Sequence, residues 1–171
     1  GNLDGDDYLE IVVSGYTNSG DIFIVNHDGS HQTVDINEKS LGGASLADLD
    51  DDGVEEILIA TESNDMICRI DNLSDIDTLL VAGDKFKSSV STLHIGNEIY
   101  LMAGSHDHSF YALNETGDLY FSLDAGDEIN SSASFLETNS YGVVTFFGSD
   151  NGLLHAVTVD GNYIPGWPVQ F

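Results

Sequence analysis

Positive charge is almost absent from this chain: Lys and Arg together number 4 among 171 residues, against 30 Asp and Glu, for a formal net charge of −26. Clustered Lys and Arg are what hold phosphate backbones, so nucleic acid is excluded as a partner, and attraction to anionic membrane surfaces with it. No apolar run approaches the length of a membrane span, which excludes membrane insertion by a helix. Cysteine occurs once, so there is no internal disulfide, and Cys68 within Met66-Ile67-Cys68-Arg69-Ile70 reads as a buried strand residue. Proline is scarce at 2 and glycine frequent at 18, while 41% of the chain is apolar, enough for one turn-rich domain with a sizeable core. So large an excess of acid repels itself in the compact state, and bound cations should stabilise the fold. A saline habitat accounts for the same excess.

The acids are not spread evenly. Asp48-Leu49-Asp50-Asp51-Asp52-Gly53-Val54-Glu55-Glu56 leads into the apolar run Ile57-Leu58-Ile59-Ala60, and Asn2-Leu3-Asp4-Gly5-Asp6-Asp7-Tyr8-Leu9-Glu10 leads into Ile11-Val12-Val13. Oxygen-bearing side chains fall at loop positions 1, 3, 5 and 9: Asp48, Asp50, Asp52 and Glu56 in one copy, Asn2, Asp4, Asp6 and Glu10 in the other. A hard cation needs that arrangement from a tightly turning backbone, and both stretches read as Ca2+ loops in which Val54 and Tyr8, at position 7, donate a backbone carbonyl. A helix-loop-helix site is excluded, because its position-12 Glu is replaced by Ile59 and Val13, which lie in β-branched strand-like runs. The bland reading is a pair of solvated acidic turns before strands.

Both loops resemble the FG-GAP type calcium repeat of integrin alpha-subunit propellers and of many secreted bacterial proteins, Asp-x-Asp-x-Asp-Gly-x-x-Asp/Glu followed by a hydrophobic strand. The resemblance departs at Asn2 in the first position and at Asp7 in the usual glycine position. Gly104-Ser105-His106-Asp107-His108-Ser109-Phe110-Tyr111-Ala112-Leu113-Asn114 and Gly148-Ser149-Asp150-Asn151-Gly152-Leu153-Leu154-His155-Ala156-Val157 look like the blades shared by FG-GAP and quinoprotein-like propellers, and Pro165-Gly166-Trp167-Pro168 like a blade ending.

The period agrees. Turn glycines after apolar strands at Gly29, Gly117 and Gly161 lie 88 and 44 residues apart. A second series, Ala44-Ser45-Leu46-Ala47, Val90-Ser91-Thr92-Leu93 and Ala133-Ser134-Phe135-Leu136, suits innermost strands, where small residues crowd near an axis. The expected fold is an all-β propeller of four blade-like repeats, 1–43, 44–88, 89–131 and 132–171, the first lacking its inner strand. The chain opens inside a motif and reads as a fragment of a longer protein, part of a ring of about six to eight blades or one completed by another chain. The third repeat has His94 in the first ligand position and the fourth has Glu137, with at most a weak site at Glu137.

Other chemistry is thin. His106-Asp107-His108 reads as an exposed turn, His27 and His31 flank another turn without a third ligand, and no nucleophile elbow surrounds any Ser. Four basic residues, Lys39, Arg69, Lys85 and Lys87, are too few for a polyanionic quinone cofactor. Trp167 is expected to pack between blades. The resemblance implies a calcium-stabilised extracellular, cell-surface or periplasmic binding module without catalytic activity, recruiting a protein or extracellular glycan through rim loops. An open blade edge makes a homodimer plausible. The rival is the propeller part of a secreted polysaccharide lyase, which would need clustered basic and aromatic residues.

Overall fold

Four antiparallel sheets follow one another along the chain in the computed structural model, which describes residues 1–16 and 21–171. Blade 1 holds β1 (Ile11–Ser14), β2 (Asp21–Val25) and β3 (His31–Asp35). Blade 2 holds β4 (Ser45–Ala47), β5 (Glu56–Ala60), β6 (Met66–Asp71) and β7 (Asp75–Val81). Blade 3 is β8 (Ser91–Ile95), β9 (Glu98–Gly104), β10 (Ser109–Leu113) and β11 (Leu119–Asp124); blade 4 is β12 (Ser134–Thr138), β13 (Gly142–Ser149), β14 (Leu153–Thr158) and β15 (Val169–Gln170). Every sheet is a simple meander in chain order, four-stranded except blade 1, which has three. No helix occurs among the described residues.

The second strand of blade 2 is covered on both faces, and its sequence shows it. All five residues of β5, Glu56-Ile57-Leu58-Ile59-Ala60, are buried, so the polar alternation of a half-exposed strand is absent. Ile57 and Ile59, with Ile70, pack on Ile22, Ile24 and Val12 of blade 1. Leu58, Ala60 and Ile67 point the other way, onto Leu101, Ala103 and Leu113 of blade 3. Met102, Phe110 and Ala112 of blade 3 in turn meet Phe147 and Val157 of blade 4.

The connecting segments act as staples. The amides of Glu62, His106 and Asp150 donate to the carbonyls of Lys39, Lys85 and Glu128 at 2.6, 2.9 and 2.9 Å, one bond at each successive junction. Serines of the inner strands add a second tie: Ser45 Oγ donates to Val90 O at 2.5 Å and Ser91 Oγ to Ala133 O at 3.2 Å. The recurring Ser after a small residue is therefore a blade-to-blade donor as well as a space-saving choice.

Two expectations change. His106 is buried rather than part of an exposed turn: Nδ1 lies 2.9 Å from Glu128 Oε2 and Nε2 2.7 Å from Asn130 Oδ1, both on the segment that leads into blade 4. His108 alone of that pair is exposed, with φ of 75°. Trp167 packs within its own blade, edge-on to Phe146 of β13 at 5.5 Å, because the last connection folds back over blade 4. His31 flanks the Asn26–Ser30 turn as expected, opening β3 directly after it.

Blade 4 carries a buried polar chain. Ser149 Oγ is 2.9 Å from His155 Nε2, His155 Nδ1 is 2.6 Å from the Tyr163 hydroxyl, and the imidazole stacks on Phe147 at 4.6 Å. Burial holds the His155 pKa below its ordinary value. The unfolded chain, with a histidine near 6.5, then takes up the proton first as pH falls, so this group's share of stability is complete above about 6.5 and is lost below it. The melting temperature is expected to fall between about pH 6.5 and pH 5, with a shallower slope in His155→Phe, measured by thermal scans of both proteins in the same buffers.

Candidate functional site

Two loops of the same construction lie side by side at the start of blades 1 and 2. In the first, Asp4 Oδ1 accepts from the Asp6 amide at 3.1 Å and Asp6 Oδ1 from the Tyr8 amide at 2.6 Å, while Asn2 Oδ1 accepts from Gly5 N at 2.9 Å. In the second, Asp48 accepts from the amides of Asp52 and Gly53 at 3.2 and 2.9 Å, and Asp52 from Val54 N at 2.8 Å. Each acid thus bends the backbone two to five residues ahead of it, and the chain wraps round its own carboxylates. Glu10 and Glu56 close the loops identically, through bonds from Leu3 N at 2.8 Å and Leu49 N at 2.7 Å. Leu3 and Leu49 are themselves buried, anchoring position 2 of each loop in the core.

The turn that permits this falls at position 4 in both copies, where Gly5 has φ of 78° and Asp51 φ of 62°. Gly53, which the sequence marks as the turn residue, is also left-handed at 90°, yet its counterpart Asp7 is not among the positive-φ residues. Aspartate tolerates the left-handed region better than most side chains, which lets Asp51 stand where the first loop uses glycine.

One carboxylate oxygen from each of Asp4, Asp6 and Glu10 can be chosen so that all lie within 4.8 Å of one another, and the same holds for Asp48, Asp50 and Asp52. Glu56 stands outside the second trio although it is placed like Glu10. Glu10 is only 4% exposed, and its Oε1 is buried with no hydrogen-bond partner in the protein. A buried, unpaired carboxylate oxygen carries a desolvation cost that a cation among Asp4, Asp6 and Glu10 would remove, and the all-oxygen donor set suits a hard ion. Burial, followed by the neighbouring charges of Asp50, Asp71 and Asp48, raises the Glu56 pKa against the opposing pull of the Leu49 amide.

The loops are latched together. Asn2 N donates to Glu55 Oε2 at 2.8 Å, Glu55 N to Asn2 O at 2.7 Å, and Asn2 Nδ2 to Gly53 O at 3.1 Å. Tyr8 leaves the first loop to stack on His27 at 3.8 Å. On its other side the second loop borders a cleft of about 640 Å³ shared with blade 3, lined by Asp48, Asp50, Asp51, His94, Asn97 and Glu115.

Blades 3 and 4 have no such loop. His94 pairs with Ile99 and Glu137 with Val143, so the first ligand position is absorbed into a strand and a tight hairpin follows. The left-handed glycines Gly96 and Gly142 sit in those hairpins.

The chain matches no family profile, and no curated protein sequence matches it. Solved structures do. BamB from Moraxella catarrhalis superposes with a TM-score of 0.64 at 15% identity, over 95% of this chain and 50% of that one. BBS1N, solved in complex with ARL6DN, gives 0.67 at 12% identity over 95% and 49%. The V. cholerae biofilm matrix protein Bap1 gives 0.70 at 21% identity over 99% and 29%. This chain spans half or less of each of these proteins. BamB and BBS1N are propellers, and the likeness together with the four successive meander sheets establishes the architecture: this chain is a four-blade stretch of β-propeller.

Proposed function

We propose that the chain is a calcium-stabilised binding module of the FG-GAP type, without catalytic activity, that holds a protein or glycan partner at the rim of its blades outside the cytoplasm. The unpaired Glu10 Oε1, buried beside Asp4 and Asp6, carries the reading. Calcium held there by Asn2, Asp4, Asp6 and Glu10, and in the second loop by Asp48, Asp50, Asp52 and Glu56, would neutralise converging acids and fix the latch between blades 1 and 2. Position 7, Tyr8 or Val54, would add its carbonyl. The only serine–histidine contact among the described residues, Ser149 with His155, supports a structural rather than a nucleophilic role, since His155 is fully buried and bonded on both ring nitrogens. The cleft between the second loop and His94 offers the rim a recessed polar surface beside the ion.

Terbium, a hard trivalent stand-in for calcium, tests the first loop because Tyr8 is part of it. Tyrosine-sensitised terbium emission is expected in the wild type, to be displaced by calcium, and to drop in Tyr8→Leu and in Asp4→Ala. Emission unchanged in both variants would place the ion elsewhere and remove the support for this site.

A further inference from the structure

The two acidic loops share a residue. Asn2 holds the first ligand position of the first loop, where its Oδ1 accepts from the Gly5 amide at 2.9 Å, yet its other polar groups all go to the second loop. Nδ2 donates to Gly53 O at 3.1 Å, the backbone N donates to Glu55 Oε2 at 2.8 Å, and the backbone O accepts from Glu55 N at 2.7 Å. Gly53 and Glu55 flank Val54 and lead into Glu56, positions 7 and 9 of the second loop. One latch therefore sets a candidate ligand of one loop and the segment that carries the last two candidate ligands of the other. Gly5, the turn of the first loop, also faces Val54, whose Cγ2 lies 3.6 Å from the Cβ position of that glycine. The departure from the repeat pattern at Asn2 now has a reason. An Asp there would offer an ion a full charge, but it has no donor for Gly53 O and would set a like charge beside the Glu55 carboxylate.

We propose that the two loops bind calcium with positive cooperativity, an ion in either loop ordering the latch and so preparing the other. The inference rests on the calcium reading of both loops, which the buried, unpartnered Oε1 of Glu10 supports, and adds their coupling to it. Two effects compete. The first ion lowers the negative charge that attracts the second, but the acids of the two loops still outweigh one divalent ion, and salt screens what remains. Ordering acts through direct hydrogen bonds of a shared residue, which salt does not screen away. An ion that fixes Asn2 Oδ1 holds residues 53–55 through the latch, so the entropy of ordering them is lost once for both sites.

Calcium displacement of terbium, read through Tyr8-sensitised emission in about 0.15 M salt, gives the affinity of the first loop. Four proteins are compared: wild type, Asp50→Ala, Glu55→Ala and the double variant, with melting in chelator to confirm that each is folded. Asp50→Ala alters no candidate ligand of the first loop, yet it is expected to weaken calcium there about fivefold or more. In the Glu55→Ala background the latch is broken, and the same substitution should weaken the first loop by less than about twofold. Reciprocity requires Glu10→Gln to weaken the second loop by a similar factor, read by calorimetry. A first loop unchanged in Asp50→Ala would overturn the proposal while leaving calcium in both loops. An equal loss with and without the latch would reduce the coupling to charge alone and overturn it as well. Absence of both terbium emission and calcium binding in the wild type would remove the calcium reading itself, and the coupling with it.

Discussion

Phe147→Ala is expected to cost about 3–5 kcal/mol of folding stability, the range for truncating a fully buried aromatic. Phe147 is 2% exposed and lies between two rings, stacked on Phe110 of blade 3 at 3.9 Å with planes 1° apart and on His155 of its own blade at 4.6 Å with planes 2° apart. No other aromatic pair spans the junction of blades 3 and 4 in this manner among the described residues. Truncation opens a cavity against Phe110 and removes the apolar cover from a neutral, buried imidazole. With about 2–4 °C of melting temperature per kcal/mol in a chain of this size, the transition should fall by about 10 °C, while Phe147→Leu should cost less than half as much. A urea titration showing under about 1 kcal/mol for Phe147→Ala would mean that blades 3 and 4 are not joined through this stack.

Calcium should shift melting by as much in the other direction. A ligand at 100 times its dissociation constant adds about 2.7 kcal/mol per site, so two loops give about 5 kcal/mol and a rise of about 10–20 °C over the chelator-treated protein. The effect has an electrostatic source that salt mimics only in part. Two divalent ions reduce the magnitude of the −26 charge by four, at the two places where acids are packed within 4.8 Å. Glu10→Gln should lose its site's share of the rise, because a neutral amide replaces the buried carboxylate whose Oε1 has no other partner. In chelator the same substitution should be neutral or mildly stabilising, since an unpaired buried charge is removed. A Glu10→Gln protein that is destabilised equally with and without calcium would instead make Glu10 a purely structural acceptor for Leu3 N.

The middle strands were legible because turn glycines and β-branched runs are local signals. The apolar runs Ile11–Val13 and Ile57–Ala60 fall in β1 and β5, and the serines of the small-residue series, Ser45, Ser91 and Ser134, open β4, β8 and β12. Outer strands were harder to read. β15 is two residues long and follows the folded-back Ile164–Pro168 stretch, so it has too little sequence to show a period. His106 was misread for a different reason: its cover comes from Glu128 and Asn130, beyond the whole of β10 and β11, and nothing adjacent in sequence announces it. At the candidate site the spacing of the acids was visible, whereas the position-4 turn was not, because Asp51 in a left-handed conformation looks like one more acid in a run. The unpaired Oε1 of Glu10 is a property of packing and could come only from the structure.

Calorimetric titration of calcium into chelator-stripped protein tests the central claim most directly, with wild type, Asp50→Ala and Glu10→Gln compared. The account predicts two ions bound by the wild type and one by each variant, with Asp50→Ala retaining the first loop and Glu10→Gln the second. No binding heat in the wild type across temperatures, or two ions bound by both variants alike, would contradict it and leave the acidic loops as solvated turns on a propeller.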